Sequence, residues 1–349
     1  MDNKTFHLPK SVVLELTYRC NHICKFCSCP WEAPDNSYPV DKELTVDEWK
    51  RVIDILYSKG IEMFSISGGE VLLKEGFDEI LTYIREKGEE YNLNHAIVLI
   101  SNGLRMNQEY LKLFKKLNIH LSMSLPGYST FQAHTGIDNA DSVLKWFKEA
   151  KAIGLNTTLN VTVTALNYDE LFETVSLGLL NGANDVLLNR FLPGGRGLSH
   201  LNELRLSTKQ INGMLDIVEE VLTYSNRYGQ VGTEIPLCSI DNAEKYMHIS
   251  IGYQCAAAKG FFVIDPSGKI RTCNHSPRVV GHIFDTSIIN DINYWNMFYY
   301  SKYQPTECDN CGIKRKCDCG CREVANILHG RANALDSSII INQSKYEFK

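Results

Sequence analysis

Directly after its first strongly apolar run, Val12–Thr17, the chain reads Cys20-Asn21-His22-Ile23-Cys24-Lys25-Phe26-Cys27. Three thiols within eight residues constrain this sequence more than any other feature. Twelve cysteines are present in all, open to use as disulfides, metal ligands or nucleophiles. The compartment separates these uses. Met1-Asp2-Asn3-Lys4-Thr5-Phe6-His7 holds no apolar signal core, and no apolar run approaches the ~18 residues of a membrane span. A cytoplasmic, reducing location is the expectation, where clustered cysteines serve metal or catalysis rather than bridges. Three thiolates can hold three corners of a four-iron cluster and leave one iron open to chemistry. A structural zinc would need a fourth ligand, for which Cys29 is available, so spacing alone leaves both readings open.

The remainder of the chain looks globular. Of its 349 residues 44% are hydrophobic and 22% charged, which excludes fibrous and disordered classes. Lys+Arg 36 against Asp+Glu 41 gives a net charge of −5, so neither nucleic acid nor an anionic membrane is an expected partner. Apolar β-rich runs at Val12–Thr17, Met63–Ser67, Ala96–Ser101, Ile119–Leu125, Thr157–Thr164 and Val186–Phe191 alternate with amphipathic helical patterns. The first helix opens on a capping box, Thr45-Val46-Asp47-Glu48, and stops at Gly60. Six such units predict an α/β fold, a parallel sheet curled into a partial (β/α)6 TIM-like barrel. Pro193-Gly194-Gly195-Arg196-Gly197 then reads as a flexible loop, and a helix over 208–227 as a bridge. Beyond Thr233 the chain is cysteine-dense, and Asp265-Pro266-Ser267-Gly268 between two apolar runs predicts a β-hairpin. The expected organisation is a barrel over 1–197, a bridging helix over 198–232 and a small Cys-rich domain over 233–349.

Ligand sites in such folds lie at the carboxyl ends of the strands. There the second strand ends in Ser67-Gly68-Gly69-Glu70, two glycines permitting close backbone approach and a carboxylate suited to an ammonium group. The third strand ends in Ser101-Asn102-Gly103, suited to a ribose. With the Cys20/Cys24/Cys27 motif and its aromatic Phe26, this combination resembles the radical S-adenosylmethionine (SAM) superfamily over roughly residues 11–195. The resemblance implies a four-iron cluster on Cys20, Cys24 and Cys27 whose open iron chelates the methionine amino and carboxylate groups of SAM. It also implies that Ser67, Gly68, Gly69 and Glu70 hold the amino group, that Ser101, Asn102 and Ser124 serve the ribose or carboxylate, and that Phe26 lies along the adenine. Asn160, on the fifth strand, is a further candidate of this kind.

The C-terminal cysteines form a second pattern. Cys255, twelve residues, Gly268, four residues and Cys273 precede Cys308-x2-Cys311-x5-Cys317-x3-Cys321. These intervals resemble the SPASM extension of radical SAM enzymes, with a zinc ribbon as the alternative. The resemblance implies two auxiliary clusters, one on Cys255, Cys273 and Cys321 and one on Cys308, Cys311 and Cys317. The family's usual last cysteine is missing, yet eight cysteines follow residue 200 and two clusters need eight ligands. Counting therefore assigns Cys238 to the first auxiliary cluster and Cys319 to the second, giving three 4Fe-4S clusters with SAM as cosubstrate; the alternative is that Cys238 is a buried apolar thiol and Cys319 a bystander, leaving an iron open for substrate.

The resemblance implies reductive cleavage of SAM, hydrogen abstraction from a substrate carbon and oxidative modification of a ribosomally made peptide by a thioether or C–C crosslink. Alternatives are a small-molecule SPASM enzyme acting on a tetrapyrrole or sugar, and a sulfatase-maturase-like protein oxidation. The last is disfavoured because Asn274 stands where those relatives keep an aspartate. A non-catalytic iron–sulfur or zinc protein is the third class. About ten residues precede the first strand, so recognition of a leader would fall to a separate leader-binding protein or be absent. A flavodoxin or ferredoxin would supply electrons. Candidate bases, His275, Tyr18, Asp265 and His134, each have a structural role as the stronger reading.

Overall fold

The computed structural model describes residues 5–94 and 97–336. The six expected strands are β1 (Ser11–Glu15), β2 (Met63–Ser67), β3 (Ile97–Ser101), β4 (Ile119–Ser124), β5 (Thr157–Val163) and β6 (Asp185–Arg190). Ala96, expected to open the third strand, lies outside the described residues, as does the segment Met1–Lys4. Neighbours pair in parallel and in chain order. The intervening helices are α1 (Val46–Ser58), α2 (Phe77–Glu90), α3 (Gln108–Lys116), a short α4 (Phe131–Thr135), α5 (Ala140–Ala152) and α6 (Leu171–Leu180). The capping box of α1 is present: Glu48 N donates to Thr45 Oγ1 at 3.3 Å, and Thr45 N donates back to Glu48 Oε2 at 2.8 Å. No described helix is long and apolar enough to cross a membrane.

The sheet continues beyond six strands. After a single turn, α7 (Leu201–Leu204), and the long α8 (Thr208–Ser225), two three-residue strands, β7 (Gly229–Val231) and β8 (Ile249–Ile251), add in parallel beside β6. Too short to show a period of two, they carry no signal in the sequence. The expected hairpin forms as β9 (Phe261–Ile264) and β10 (Lys269–Arg271), with a two-residue β11 (Gly281–His282) outside it. Strand β9 pairs in parallel with β1, Ser11 opposite Phe261 and Leu14 opposite Ile264. The resulting eleven-stranded sheet runs from β11 to β8 as an open, partial barrel. Among the described residues, two further helices, α9 (Ile292–Tyr299) and α10 (Arg322–His329), follow in the C-terminal part.

A buried charge network welds the hairpin to β1. Arg271 and Glu15 form an ion pair with side-chain exposures of 0% and 3%. Asp265 accepts from the Tyr18 and Tyr38 hydroxyls at 2.8 and 2.9 Å. Groups so deeply buried persist only when paired, so this contact fixes the cysteine-bearing segments around the hairpin against the barrel. Two of the candidate bases, Tyr18 and Asp265, are thereby used up in structure.

Candidate active site

A cavity of ≈ 470 Å³ reaches from the carboxyl ends of β1–β6 to the residues flanking the β9–β10 hairpin. Cys20, Cys24 and Cys27 line it on the loop after β1, with Phe26, Ser67, Gly69, Glu70, Ser101, Asn102, Ser124 and Asn160 around them. Gly68 is not among its lining residues. Cys255, Cys273 and Cys321 line the same cavity. Because Cys255 precedes β9 and Cys273 follows β10, both lie toward the amino end of β1, while Cys20 follows its carboxyl end. At about 3.3 Å per strand residue, the two thiol groups stand on the order of 15 Å apart, with the cavity between them.

The strand ends are organised by Glu70, whose carboxylate accepts from Ser101 Oγ at 2.8 Å, Asn102 N at 2.7 Å and Leu72 N at 3.2 Å. It is buried and its pKa is raised by that burial. The carboxylate therefore ties the end of β2 to the end of β3. Asn102 in turn donates to Asn21 Oδ1 at 2.8 Å, which connects the third strand end to the Cys20 loop. The glycines of this segment serve the backbone. A Cβ on Gly69 would lie 2.2 Å from Arg19 O, so the turn packs directly on the residue before Cys20. Asn160 accepts from Asn189 Nδ2 at 3.0 Å, so two strand-end amides form one polar ledge.

Burial pushes the Cys20 thiol up to about 11 and raises Cys24, Cys255 and Cys273 well above the usual thiol value. Cys27 is the exception: a hydrogen bond from the Cys29 thiol lowers it. Cys319 does the same for Cys317, holding it down at about 6, and it also bonds Cys308. Cys308, Cys317 and Cys319 thus come together, with Cys311 held close by its N–H to Cys308 O at 3.0 Å. Cys238 is exposed and stands apart from the cavity. Among the described residues, no three His, Cys, Asp or Glu side chains are grouped to hold a metal ion by themselves.

A family model described as the Radical SAM superfamily matches residues 14–178. The chain carries a radical SAM domain. The PqqA peptide cyclase of Bradyrhizobium diazoefficiens is 25% identical, over 97% of this chain and 88% of the relative. That of Rhodopseudomonas palustris is 26% identical, over 97% and 89%. Among solved structures, Streptococcus suis SuiB bound to S-adenosylmethionine superposes with a TM-score of 0.69 at 17% identity, covering 95% of this chain and 77% of SuiB. Native anSMEcpe with bound AdoMet gives 0.73 at 16% identity, covering 94% of each. At such identities the structural likeness speaks for the fold alone.

A radical SAM enzyme uses SAM and a four-iron cluster, and the residues present fit both. Three thiols of one loop face a cavity within the ~300–1,000 Å³ range of small-molecule sites. Buried polar atoms beside them, Asn21 Nδ2, His22 Nε2 and Trp31 Nε1, have no hydrogen-bond partner, as expected where a polar ligand belongs. Of the remaining candidate bases, His134 is held between Thr130 O at 3.0 Å and Thr164 Oγ1 at 2.8 Å. His275 reaches the cavity but donates to Pro193 O at 2.7 Å, and burial lowers its pKa to about 4.

The segment expected to be a flexible loop is instead structural. Gly195–His200 forms a 3-10 helix in which Gly195 and Gly197 are buried. Gly197 N donates to Cys27 O at 3.1 Å, and a Cβ on Gly195 would meet Cys29 O at 2.4 Å. Its glycines permit close packing against the cysteine loop rather than mobility. Sequence reasoning also missed Thr162, Asn189, Arg190, Arg196 and Glu234, all of which line the cavity. Polar residues at the carboxyl end of β6, Asn189-Arg190, were the available signal, parallel to Asn160 on β5.

Proposed function

We propose that this radical SAM enzyme oxidatively modifies a ribosomally made peptide, introducing a thioether or C–C crosslink. What carries the reading is one cavity lined at one end by the Cys20, Cys24 and Cys27 thiols and at the other by Cys255, Cys273 and Cys321. The peptide-acting relatives support it: PqqA peptide cyclases match along nearly the whole chain, and structural neighbours include SuiB bound to precursor peptide SuiA and anSMEcpe with a bound peptide.

In this reading Cys20, Cys24 and Cys27 hold the SAM-cleaving cluster, and the strand-end residues from Ser67 to Glu70, with Ser101, Asn102, Ser124, Asn160 and Phe26, surround SAM. When bound, these cofactors supply a 5′-deoxyadenosyl radical able to take hydrogen from an unactivated carbon. The chain's own residues orient and exclude water. Glu70 and Asn102 fix the strand ends against the Cys20 loop, the Asn160–Asn189 ledge presents amides to the substrate, and Arg196, paired with Glu32, closes over Cys24 O. Cys255, Cys273 and Cys321, and separately Cys308, Cys311, Cys317 and Cys319, would hold two auxiliary clusters, which would offer a sink for electrons. The functional division is a SAM-binding barrel over 1–197, a bridge over 198–232 and an auxiliary-cluster region over 233–349. A flavodoxin or ferredoxin supplies electrons, a separate protein binds the leader, and the cysteine usage fits the cytoplasm.

The test is anaerobic incubation of the reconstituted protein with SAM, reductant and the peptide encoded beside its gene. Deoxyadenosine formation coupled to a loss of two hydrogens from the peptide is the expected result. Deoxyadenosine without any change in peptide mass, while a tetrapyrrole or sugar is consumed, would transfer the assignment to a small-molecule reaction.

A further inference from the structure

Three thiols are one short of the four ligands that fully coordinate a four-iron cluster. Counting cysteines gave that place to Cys238, but the structure separates it from Cys255, Cys273 and Cys321. Cys238 is exposed and does not line their cavity. The N–H of its neighbour Leu237 points at Cys317 Sγ, 3.5 Å away, so this segment packs on the other thiol group.

The residue that does stand with the three thiols is Glu234, which lines the same cavity. Its backbone is fixed from one side by Arg190, which donates to Glu234 O from Nε at 3.0 Å and from Nη2 at 2.8 Å. The same guanidinium grips Asp336 at 3.2 and 2.7 Å, and Asp336 Oδ2 accepts Cys321 N at 2.8 Å. Both partners of this ion pair are almost wholly buried, so Glu234 and Cys321 share one rigid anchor. From the other side the N–H of Ala256, next to Cys255, donates to the Glu234 carboxylate. The carboxylate lies close enough for its charge to act on the Cys255 and Cys321 thiols.

The other acids of the cavity are engaged. Glu70 accepts from three donors, Glu32 pairs with Arg196, and Glu323 accepts from Thr272 Oγ1 at 2.9 Å and from the Tyr294 hydroxyl at 2.8 Å. The Arg190 hydrogen bonds reach the Glu234 carbonyl rather than its carboxylate, which keeps lone pairs for a metal. We propose that the Glu234 carboxylate is the fourth protein ligand of the iron–sulfur cluster held by Cys255, Cys273 and Cys321. This rests on the reading that those thiols hold a cluster. Iron takes the place of the carboxyl proton, as it does of the thiol protons, and one iron of the four is left with an oxygen ligand.

The full chain is reconstituted anaerobically, and iron per chain is measured with Mössbauer and electron paramagnetic resonance spectra. Glu234→Gln keeps the shape and the Ala256 hydrogen bond but removes the anionic donor. It should lose about one iron per chain and give the signal of a three-iron cluster on oxidation. Glu234→Cys should keep all four irons and move that cluster's midpoint potential lower, since a non-thiolate ligand raises it. Cys238→Ala should leave that cluster unchanged. A Glu234→Gln protein with parental iron content and spectra, or a three-iron product in Cys238→Ala, overturns the assignment. Cys255→Ala separates the two levels of the argument: unchanged iron there would refute a cluster at this site altogether, whereas loss of a cluster with Glu234→Gln silent refutes the ligand alone.

Discussion

Gly69→Ala discriminates between two reasons for the glycine in the Ser67–Glu70 segment. If Gly69 exists to let a ligand approach, alanine weakens SAM binding and spares the cluster. The structure gives a different reason. An added Cβ would lie 2.2 Å from Arg19 O, 2.6 Å from Arg19 C and 2.8 Å from Tyr18 O, all backbone atoms that no rotamer change can move. Contacts under 3.0 Å are essentially never seen for real Cβ atoms, so the two segments must part by about 0.8 Å. They are also joined by Gly69 N to Thr17 O and Glu70 N to Arg19 O, each 2.8 Å. Overpacking costs about 1–3 kcal/mol and each weakened hydrogen bond about 1 kcal/mol, so about 3–5 kcal/mol is expected in all. Because Arg19 immediately precedes Cys20, the displacement falls on the cluster loop. Gly69→Ala should lower the urea midpoint of the unreconstituted chain, and after reconstitution it should lose roughly the iron of one cluster and, in proportion, deoxyadenosine formation. Parental stability and full iron, with SAM affinity alone reduced, would refute this reasoning and restore the ligand-approach explanation.

Replacing Cys20, Cys24 and Cys27 together by Ala should remove about a third of roughly twelve irons and abolish deoxyadenosine formation, checked by iron analysis and chromatography. Cys319→Ala breaks its contacts with Cys308 and Cys317 and should make the second auxiliary cluster labile, so that deoxyadenosine persists while peptide product falls; full product would exclude Cys319 as a ligand. Asp336→Ala strands the buried Arg190 charge and should cost about 3–5 kcal/mol in urea unfolding. His275, lowered from 6.5 to about 4 by burial, stays neutral in the folded chain while the unfolded chain takes up a proton. Stability is therefore full above pH 6.5 and falls toward pH 4, by about 3 kcal/mol in total, and His275→Gln should flatten that part of the urea-midpoint profile.

Local rules written in adjacent residues made much of this protein legible in advance. The six parallel strands, the capping box of α1, the β9–β10 hairpin and the Cys20/Cys24/Cys27 loop after β1 all depend on short-range patterning, which a sequence displays directly. The same holds for Ser67–Glu70 and Ser101–Asn102, because strand ends converge in any parallel barrel. Three-residue strands such as β7 and β8 escape that reading, since they show too few residues for a period.

Only the tertiary structure decided what each conspicuous residue faces. Glycines at 195 and 197 read as freedom in the sequence, yet they are buried against the Cys27 and Cys29 carbonyls. Glu70 reads as a ligand for an ammonium group, and the fold adds that its oxygens tie the ends of β2 and β3 together. Counting assigned Cys238 to the first auxiliary cluster because a count treats every thiol as equivalent. The fold packs the neighbouring Leu237 N–H on Cys317, and it places Glu234 on the cavity wall beside an Arg190–Asp336 bridge between residues 146 positions apart. Composition and spacing specify which chemistry a chain can support; which side chain reaches which atom follows from long-range packing, which no local pattern encodes.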